Sequence, residues 1–161
     1  MRVIKNREVI DDGWRLLESD AAPPATGDVI VSLEQWNRHH AELSSRQGRT
    51  GVMLRSSELP EDVAVLDQVP LIAIDFPKWA DGRGYSHART LRERLGYAGE
   101  LRAVGDVLRD QLFYMARCGI DSFALKPGKD IHAAVTAFDD FSVTYQPAAD
   151  DPRPLFRRVR R

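Results

Sequence analysis

Continuous apolar runs alternate with helix-like segments along the middle of this chain. The clearest runs occupy residues 71–74, 101–104 and 123–125. Uninterrupted apolar runs of this length are typical of strands that are buried on both faces of a sheet. Between them, apolar residues recur three and four positions apart, which is the period of an amphipathic helix. The alternation predicts an α/β fold with a mostly parallel sheet.

Shorter patterns extend this prediction toward the N-terminus. Strands are predicted at residues 28–31 and 50–54, and residues 1–20 have the spacing of a β-hairpin. At ~30 residues for each βα unit, the chain has room for about five units. We therefore predict a single α/β domain over residues 1–161, with a hairpin at 1–20, a βα core at 28–145 and a basic tail at 147–161.

Chain length bears on how these units are arranged. A complete eight-unit barrel needs ~250 residues, whereas this chain has 161. The favoured prediction is a layered sandwich of helices around an open, mostly parallel sheet. The alternative is a partial (β/α) barrel, which a homodimer would complete.

Each of the three clearest apolar runs ends in a polar or glycine-containing cluster. The clusters occupy residues 75–86, 105–106 and 126–130. The carboxyl ends of parallel strands meet at one edge of a sheet, where α/β proteins bind ligands, so the clusters are predicted to form a site there. The 75–86 connection is also longer than the usual length of about two to six residues, and long loops often carry function.

Arginine and lysine side chains near these clusters are candidates for binding an anion. Arg83 lies beside a predicted helix start, whose free backbone N–H groups suit a sulfate, phosphate or carboxylate. The alternative is that Arg83 pairs with Asp81 or Asp75 and braces the loop. Within a predicted strand, Arg102 must lie at an edge, pair with a carboxylate or point into a site. The predicted ligand-binding set is Asp81, Gly82, Arg83, Gly84, Tyr85, Ser86, Arg102, Arg109 and Lys126.

Proton transfer would need a titratable side chain at the same edge of the sheet. Asp75 closes one predicted strand, Asp106 follows the next, and Lys126 follows the last, so these three residues are the candidates for a catalytic role. Asp106 is also predicted to cap the helix that follows it. The sequence assigns no reaction to these residues, so the catalytic residues are unknown at this stage and enzymatic activity is left open.

Composition narrows the classes of partner and cofactor. The net charge of -1 gives no overall field toward nucleic acid, so no nucleic-acid partner is expected. No apolar run approaches the ~20 residues of a membrane helix, which predicts a cytoplasmic protein without a membrane partner. The single cysteine, Cys118, excludes an internal disulfide and a cysteine-only metal site within one chain. No dinucleotide fingerprint is present, and the sequence indicates neither a metal nor a cofactor.

A long motif occupies the segment from Phe76 to Gln111, which reads FPKWADGRGYSHARTLRERLGYAGELRAVGDVLRDQ. It resembles the bacterial family known as domain of unknown function nine-three-four, whose members share a pattern like F-P-x-x-x-D-G-R-G-Y-S-x-A-R-x-L-R-x-R-x-G-Y-x-G-E-L-R-A-x-G-D-V-x-x-D-Q. The likeness covers most of the protein. The family has no established catalytic residues, so the resemblance transfers only the motif residues themselves: Asp81, Gly82, Arg83, Gly84, Tyr85, Ser86, Arg89, Arg92, Arg94, Gly96, Glu100, Arg102, Gly105, Asp106, Asp110 and Gln111.

The resemblance implies a role in sulfur metabolism. Genes of this family commonly neighbour those for assimilatory sulfite reductase, and its members are often labelled oxidoreductases. The expectation is therefore an accessory protein of assimilatory sulfate and sulfite reduction, which binds sulfite reductase or a small oxyanion. The alternatives are an oxidoreductase of sulfur assimilation and an enzyme that acts on a small anionic metabolite held by Arg83, Arg102 and Lys126.

Overall fold

In the computed structural model, which describes residues 1–18 and 21–158, eight strands form a single sheet. In chain order the strands are β1 (Arg2–Lys5), β2 (Glu8–Asp11), β3 (Arg15–Leu16), β4 (Val29–Ser32), β5 (Thr50–Leu54), β6 (Leu71–Phe76), β7 (Glu100–Gly105) and β8 (Ser122–Phe123). Their order across the sheet is β2-β1-β8-β7-β6-β5-β4-β3. Among these described strands, β1 alone runs in the direction opposite to all the others.

Helices connect or follow the parallel strands. The helices are α1 (Leu33–Ser44), α2 (Arg83–Arg89), α3 (Leu112–Arg117), α4 (Ile131–Val135) and α5 (Leu155–Arg158), and a π-helical turn at Thr90–Arg94 extends α2. Short 3₁₀ turns lie at Pro60–Asp62, Leu66–Gln68, Arg109–Gln111 and Thr136–Asp139. The combination of helices with a mostly parallel sheet confirms the predicted α/β class.

The predicted N-terminal hairpin is also present, and it determines the shape of the sheet. Strands β1 and β2 pair around Asn6 and Arg7, which both have positive φ as a tight two-residue hairpin turn requires. The next strand, β3, lies at the opposite edge of the sheet. Only the linker 12–14 connects β2 to β3, and three residues reach across at most about 14 Å. Eight strands laid flat would be about 34 Å wide.

The sheet therefore curls into an open half-barrel. This corrects the favoured prediction of a layered sandwich of five βα units, because a layered sheet would keep its two edges far apart. The sequence showed a hairpin and a run of parallel strands, but it did not show that the hairpin and β3 occupy opposite edges. The curled sheet agrees with the partial-barrel alternative in shape, whereas completion by a homodimer stays a prediction.

The two faces of the sheet are covered in different ways. The convex face packs against the helices, where Trp36 of α1, Leu91 after α2 and Met115 of α3 join one large core cluster. A smaller cluster on the concave face contains Ile30 and Ala73, with Trp14, Met53 and Val104 packed against it. Because strands in the middle of the sheet are covered on both faces, their sequences read as uninterrupted apolar runs.

The predicted basic tail folds back on the helices as far as the structure describes it. The backbone N–H of Ala149 donates to the carbonyl of Arg117 over 3.1 Å, and the Arg117 guanidinium contacts Asp150 over 2.6 Å. The last part of the tail, residues 159–161, lies outside the described residues. Within the described residues, none of the helices has the length and apolar character needed to cross a membrane.

Candidate functional site

The carboxyl ends of β5 to β8 gather several of the residues singled out from the sequence. We call this region the carboxyl rim. It consists of residues 55–56 after β5, residues 75–83 around the end of β6, residues 105–106 at the end of β7, and Lys126 after β8. Asp75 lies level with Val104 of the neighbouring strand. The backbone N–H of Asp106 donates to the carbonyl of Phe76 over 2.7 Å, which joins two of the segments.

Arg83 pairs with Asp81 within the loop that follows β6. Its guanidinium contacts the two carboxylate oxygens of Asp81 over 2.9 and 2.7 Å, and its backbone N–H donates to the same carboxylate over 3.2 Å. The Arg83 hydrogen bonds hold the pKa of Asp81 well below its usual value, and the Ser56 side chain adds to this effect. The sequence left two interpretations of Arg83 open, anion binding and an ion pair that braces the loop. The observed geometry is that of the ion pair.

Lys126 and Asp106 form a second pair on the carboxyl rim, 2.8 Å apart. The Asp106 carboxylate also accepts the backbone N–H of Trp79 over 3.1 Å. The hydrogen bond from Lys126 holds the pKa of Asp106 below its usual value, which favours a permanent charge over proton transfer. The predicted capping role of Asp106 is wrong, because a 3₁₀ turn at Arg109–Gln111 precedes α3 and the Gln111 side chain accepts the Leu108 N–H.

Arg102 points to the concave face, where it is almost completely buried among carboxylates. Its guanidinium lies 2.8 Å from Asp12 and 2.7 Å from Glu100, and 3.2 Å from the Ser122 hydroxyl. Only 2% of the Arg102 side chain is exposed. Lys5 contacts Glu100 from the other side over 2.6 Å. Burial by itself would raise the pKa of Glu100, but these two cations hold it below its usual value.

Arg109 lies apart from these groups. Its guanidinium contacts Asp140 over 2.8 Å and the Thr136 hydroxyl over 3.2 Å, so it joins the 3₁₀ turn before α3 to the segment after α4. Four basic residues of the predicted ligand-binding set, Arg83, Arg102, Arg109 and Lys126, therefore each have a carboxylate partner. An oxyanion that bound at one of these side chains would therefore compete with the carboxylate already there.

Other arginines of the motif also stabilise the fold. Arg92 donates to the carbonyls of Tyr97, Gly99 and Gly119 over 2.6–2.9 Å and contacts Asp121 over 2.8 Å. These contacts tie the π-helical turn to the strands at the amino end of the sheet. Much of the arginine content of the motif is thus explained by internal contacts. Among the described residues, no group of His, Cys, Asp and Glu side chains could hold a metal ion.

Asp75 differs from the other candidate acids because burial raises its pKa above the usual value. Arg55 opposes this shift, whereas the neighbouring charges of Asp81 and Glu58 add to it. The Asp75 carboxylate packs closely against Gly105, where an added Cβ would be only 2.8 Å from one of its oxygens. A half-buried carboxyl with a raised pKa at the carboxyl end of a central strand is the position typical of an acid–base residue.

We expect Asp75→Asn to raise the free energy of unfolding at pH 7, because the variant removes a charge that burial disfavours. The native state holds the Asp75 proton more tightly than the unfolded state does. The stability contribution of Asp75 therefore falls as pH rises from ~3.9, its unfolded pKa, through the higher folded value. The advantage of the variant should be largest at pH 7 and shrink toward pH 3, as measured by urea unfolding.

Asp67→Asn, at an exposed position, provides the control for removal of one negative charge. An unchanged free energy of unfolding in Asp75→Asn at pH 7 would contradict the raised pKa of Asp75. So would an advantage of the same size at pH 3 and pH 7, because that result would show a packing effect rather than a titration.

Trp79 is the residue of the carboxyl rim that sequence reasoning missed. It lies in the connection from Pro77 to Gly82, here called the tryptophan loop, and 57% of its surface is exposed. Its backbone is fixed on both sides, since its N–H donates to Asp106 and its carbonyl accepts from the Gln111 amide over 3.4 Å. The length of the loop was the available signal, but the pattern did not indicate that the indole faces outward.

Two comparisons with known proteins gave no match, and one identified a family. No curated protein and no solved structure matches the chain. The family described as "Bacterial protein of unknown function (DUF934)" matches residues 51–156, which include the carboxyl rim and the tryptophan loop. This match covers well over half of the chain and agrees with the resemblance seen in the motif from Phe76 to Gln111. The chain therefore belongs to the bacterial DUF934 family.

Proposed function

We propose that this protein is an accessory protein of assimilatory sulfite reduction that binds a protein partner through its tryptophan loop. Sulfite reductase is the partner that the family resemblance implies. The observation that carries the proposal is the exposed indole of Trp79 on the carboxyl rim, where Arg83 and Lys126 are already paired with carboxylates. Tryptophan is enriched in protein interfaces and among the residues that dominate their binding energy.

The charge pairs favour a protein partner over a small oxyanion. A free sulfite or sulfate ion that bound to Arg83 or Lys126 would compete with the carboxylates already paired with them. These carboxylates are covalently tethered beside their cations, so they act at a high effective concentration. A protein partner would not meet this competition, because its surface could cover the Trp79 indole and leave both ion pairs in place.

The bracing of the loop also suits a binding surface. The side chains of Asp106 and Gln111 hold the backbone of Trp79 from both sides, and the Asp81–Arg83 pair closes the end of the loop. A loop that is ordered before it meets its partner loses less conformational entropy on binding.

We expect the tagged protein to co-purify with sulfite reductase, and Trp79→Ala to weaken the complex about 30-fold. This factor corresponds to a binding hot spot of ~2 kcal/mol, at 1.4 kcal/mol for each tenfold change in Kd. Truncation should leave the fold intact because the indole is exposed. Biolayer interferometry with the two purified proteins measures the change in Kd.

Tyr145→Ala is the matched control, because Tyr145 is an aromatic residue that is 75% exposed and lies in the segment before α5. It should leave the Kd within about twofold of the original value, as expected for a residue outside the energetic core of an interface. Failure to detect any complex with the reductase would count against the proposed partner. Equal weakening by the two variants would count against the tryptophan loop as the contact.

A second candidate function is an enzyme that uses Asp75 for proton transfer on a small metabolite. The raised pKa of this carboxyl, caused by burial, is the observation that favours it. Asp106 is the weaker candidate for the same role, because Lys126 and the Trp79 N–H both stabilise its charged form. The pH series on Asp75→Asn tests this candidate function as well. If the series shows no raised pKa for Asp75, the observation that favours an enzyme is lost.

A further inference from the structure

A cavity of about 250 Å³ lies inside the curl of the sheet, and no residue of it belongs to the tryptophan loop. The cavity lies at the carboxyl ends of β7 and β8, where Gly105 and Ala124 form part of its wall. The linker 12–14 closes the opposite side, since Trp14 and Asp12 both border the cavity. Barrel mouths of this kind are common places for small molecules to bind.

The walls of the cavity are apolar. They are formed by side chains from the linker, from β3, β4 and β7, and from the segment that follows β8: Trp14, Leu16, Ile30, Val104, Leu125 and Pro127. Arg102 is the cation of the lining, and it is held by Asp12 and Glu100. This lining therefore favours a ligand with little polar surface.

Arg102 and Asp12 of the lining belong to an ionic quartet whose charges balance one another. Arg102 and Lys5 supply two positive charges, and Asp12 and Glu100 supply two negative charges, with every contact at 2.6–2.8 Å. A charged ligand would lose its hydration on entering the cavity and would find no counter-charge without a partner. The quartet therefore disfavours both anions and cations.

One flat group in the lining, the Trp14 indole, suits an aromatic ring. Arg102 is almost completely buried and leaves no free face for a ligand, so the Trp14 indole supplies the aromatic surface. The Arg49 guanidinium lies 4.8 Å from the centre of the Trp14 ring and helps to hold it in place. An apolar cavity of roughly 150 Å³ accommodates benzene. The volume of about 250 Å³ found here therefore leaves room for one ring or two fused rings.

We propose that this cavity binds an uncharged, flat aromatic molecule of one ring or two fused rings. The site is separate from the partner surface around Trp79, so either assignment stands if the other fails. The uncharged character follows from the balanced quartet, the flat shape from the Trp14 indole, and the size from the cavity volume.

The charge preference is tested with three ligands of nearly equal size: benzamide, benzoate and benzamidine. We expect benzamide to bind with a Kd of roughly 1–10 mM, as for other small ligands of this size, and both ions to bind at least tenfold more weakly. In ¹H–¹⁵N spectra of the full chain, the indole N–H of Trp14 and the amide of Gly105 should shift in a saturable manner. The indole signals of Trp36 and Trp79 should not shift.

Two variants connect the signal to the cavity. Ala124→Phe fills the space from its wall, and Leu16→Asp introduces a charge at a half-exposed position of the lining, which the fold tolerates more easily. Each should weaken benzamide binding at least tenfold. Ala98→Leu, at an exposed position outside this cavity, should leave binding unchanged.

The charge series and the variants each have an outcome that overturns the proposal. Equal binding of the three ligands would show that the quartet does not select against charge. Unchanged benzamide binding in Leu16→Asp and in folded Ala124→Phe would place the ligand elsewhere. No saturable shift at Trp14 up to 50 mM benzamide, roughly five times the weakest expected Kd, would show that the cavity does not bind such rings.

Discussion

Replacing Arg102 with methionine is expected to lower the free energy of unfolding by about 3–5 kcal/mol, the cost of removing one partner from a buried ion pair. The variant would leave the carboxylates of Asp12 and Glu100 with 2% and 8% of their side chains exposed. Glu100 would keep Lys5, but Asp12 would have no cation among the described ion pairs. Domains of this kind have a total stability of about 5–15 kcal/mol, so urea unfolding should show a large shift.

Lys5→Met gives the matched comparison because it removes the other cation that contacts Glu100. The Lys5 side chain is 36% exposed, and Arg102 remains beside Glu100 in that variant, so the expected cost is below about 1 kcal/mol. The triple variant Arg102→Met, Asp12→Asn and Glu100→Gln should recover part of the loss by removing the stranded charges. Equal costs for the two single variants would show that burial does not govern this network.

The Arg102 network illustrates what the sequence could and could not predict. A charged residue inside an apolar run requires compensation, so its pairing with a carboxylate was one of three stated alternatives. The identity of the partner was out of reach, because Asp12 is separated from Arg102 by 90 positions. Only the curl of the sheet brings the linker 12–14 over the concave face.

For the fold as well, features that depend on local sequence were predictable, whereas features that depend on long-range contacts were not. Strands β4 to β8 and the hairpin were predictable because apolar runs and turn residues act over a few positions. The strand order places β8 against β1, a pairing between the two ends of the chain that no local pattern specifies. The curled shape depends on that pairing and on the linker 12–14, which explains why a layered sandwich appeared more reasonable from the sequence.

The carboxyl rim shows a comparable limit for functional residues. Parallel strands must bring their ends together, so the gathering of Asp75, Asp106 and Lys126 at one edge follows from topology. Whether a basic side chain is free or paired depends on side-chain geometry within a few ångströms, which spacing does not reveal. Exposure is equally invisible in the sequence, since a tryptophan in a long loop is as compatible with burial as with contact to a partner.

Gly105→Ala is expected to lower the free energy of unfolding by about 2–5 kcal/mol, because the substitution combines two separate costs. Gly105 has a φ of +93°, which side chains other than glycine rarely adopt. An added Cβ would also lie 2.5 Å from the carbonyl oxygen of Phe76 and 2.8 Å from an oxygen of Asp75. The Phe76 carbonyl belongs to the backbone and accepts the Asp106 N–H, so it has little freedom to move away.

Gly128→Ala separates the two costs, because Gly128 has a φ of +83° and nothing within 4 Å of its added Cβ. That variant carries the backbone cost alone, about 1–2 kcal/mol. The excess destabilisation of Gly105→Ala over Gly128→Ala, measured by urea unfolding, then reports the close approach of β6 to β7 at the carboxyl rim. Because Asp106 also holds the Trp79 N–H, the folded fraction of Gly105→Ala should bind the proposed partner more weakly, whereas Gly128→Ala should bind it normally. Equal stability losses in the two variants would mean that the strands yield freely there, and the account of a rigid rim that presents Trp79 would then lose its structural basis.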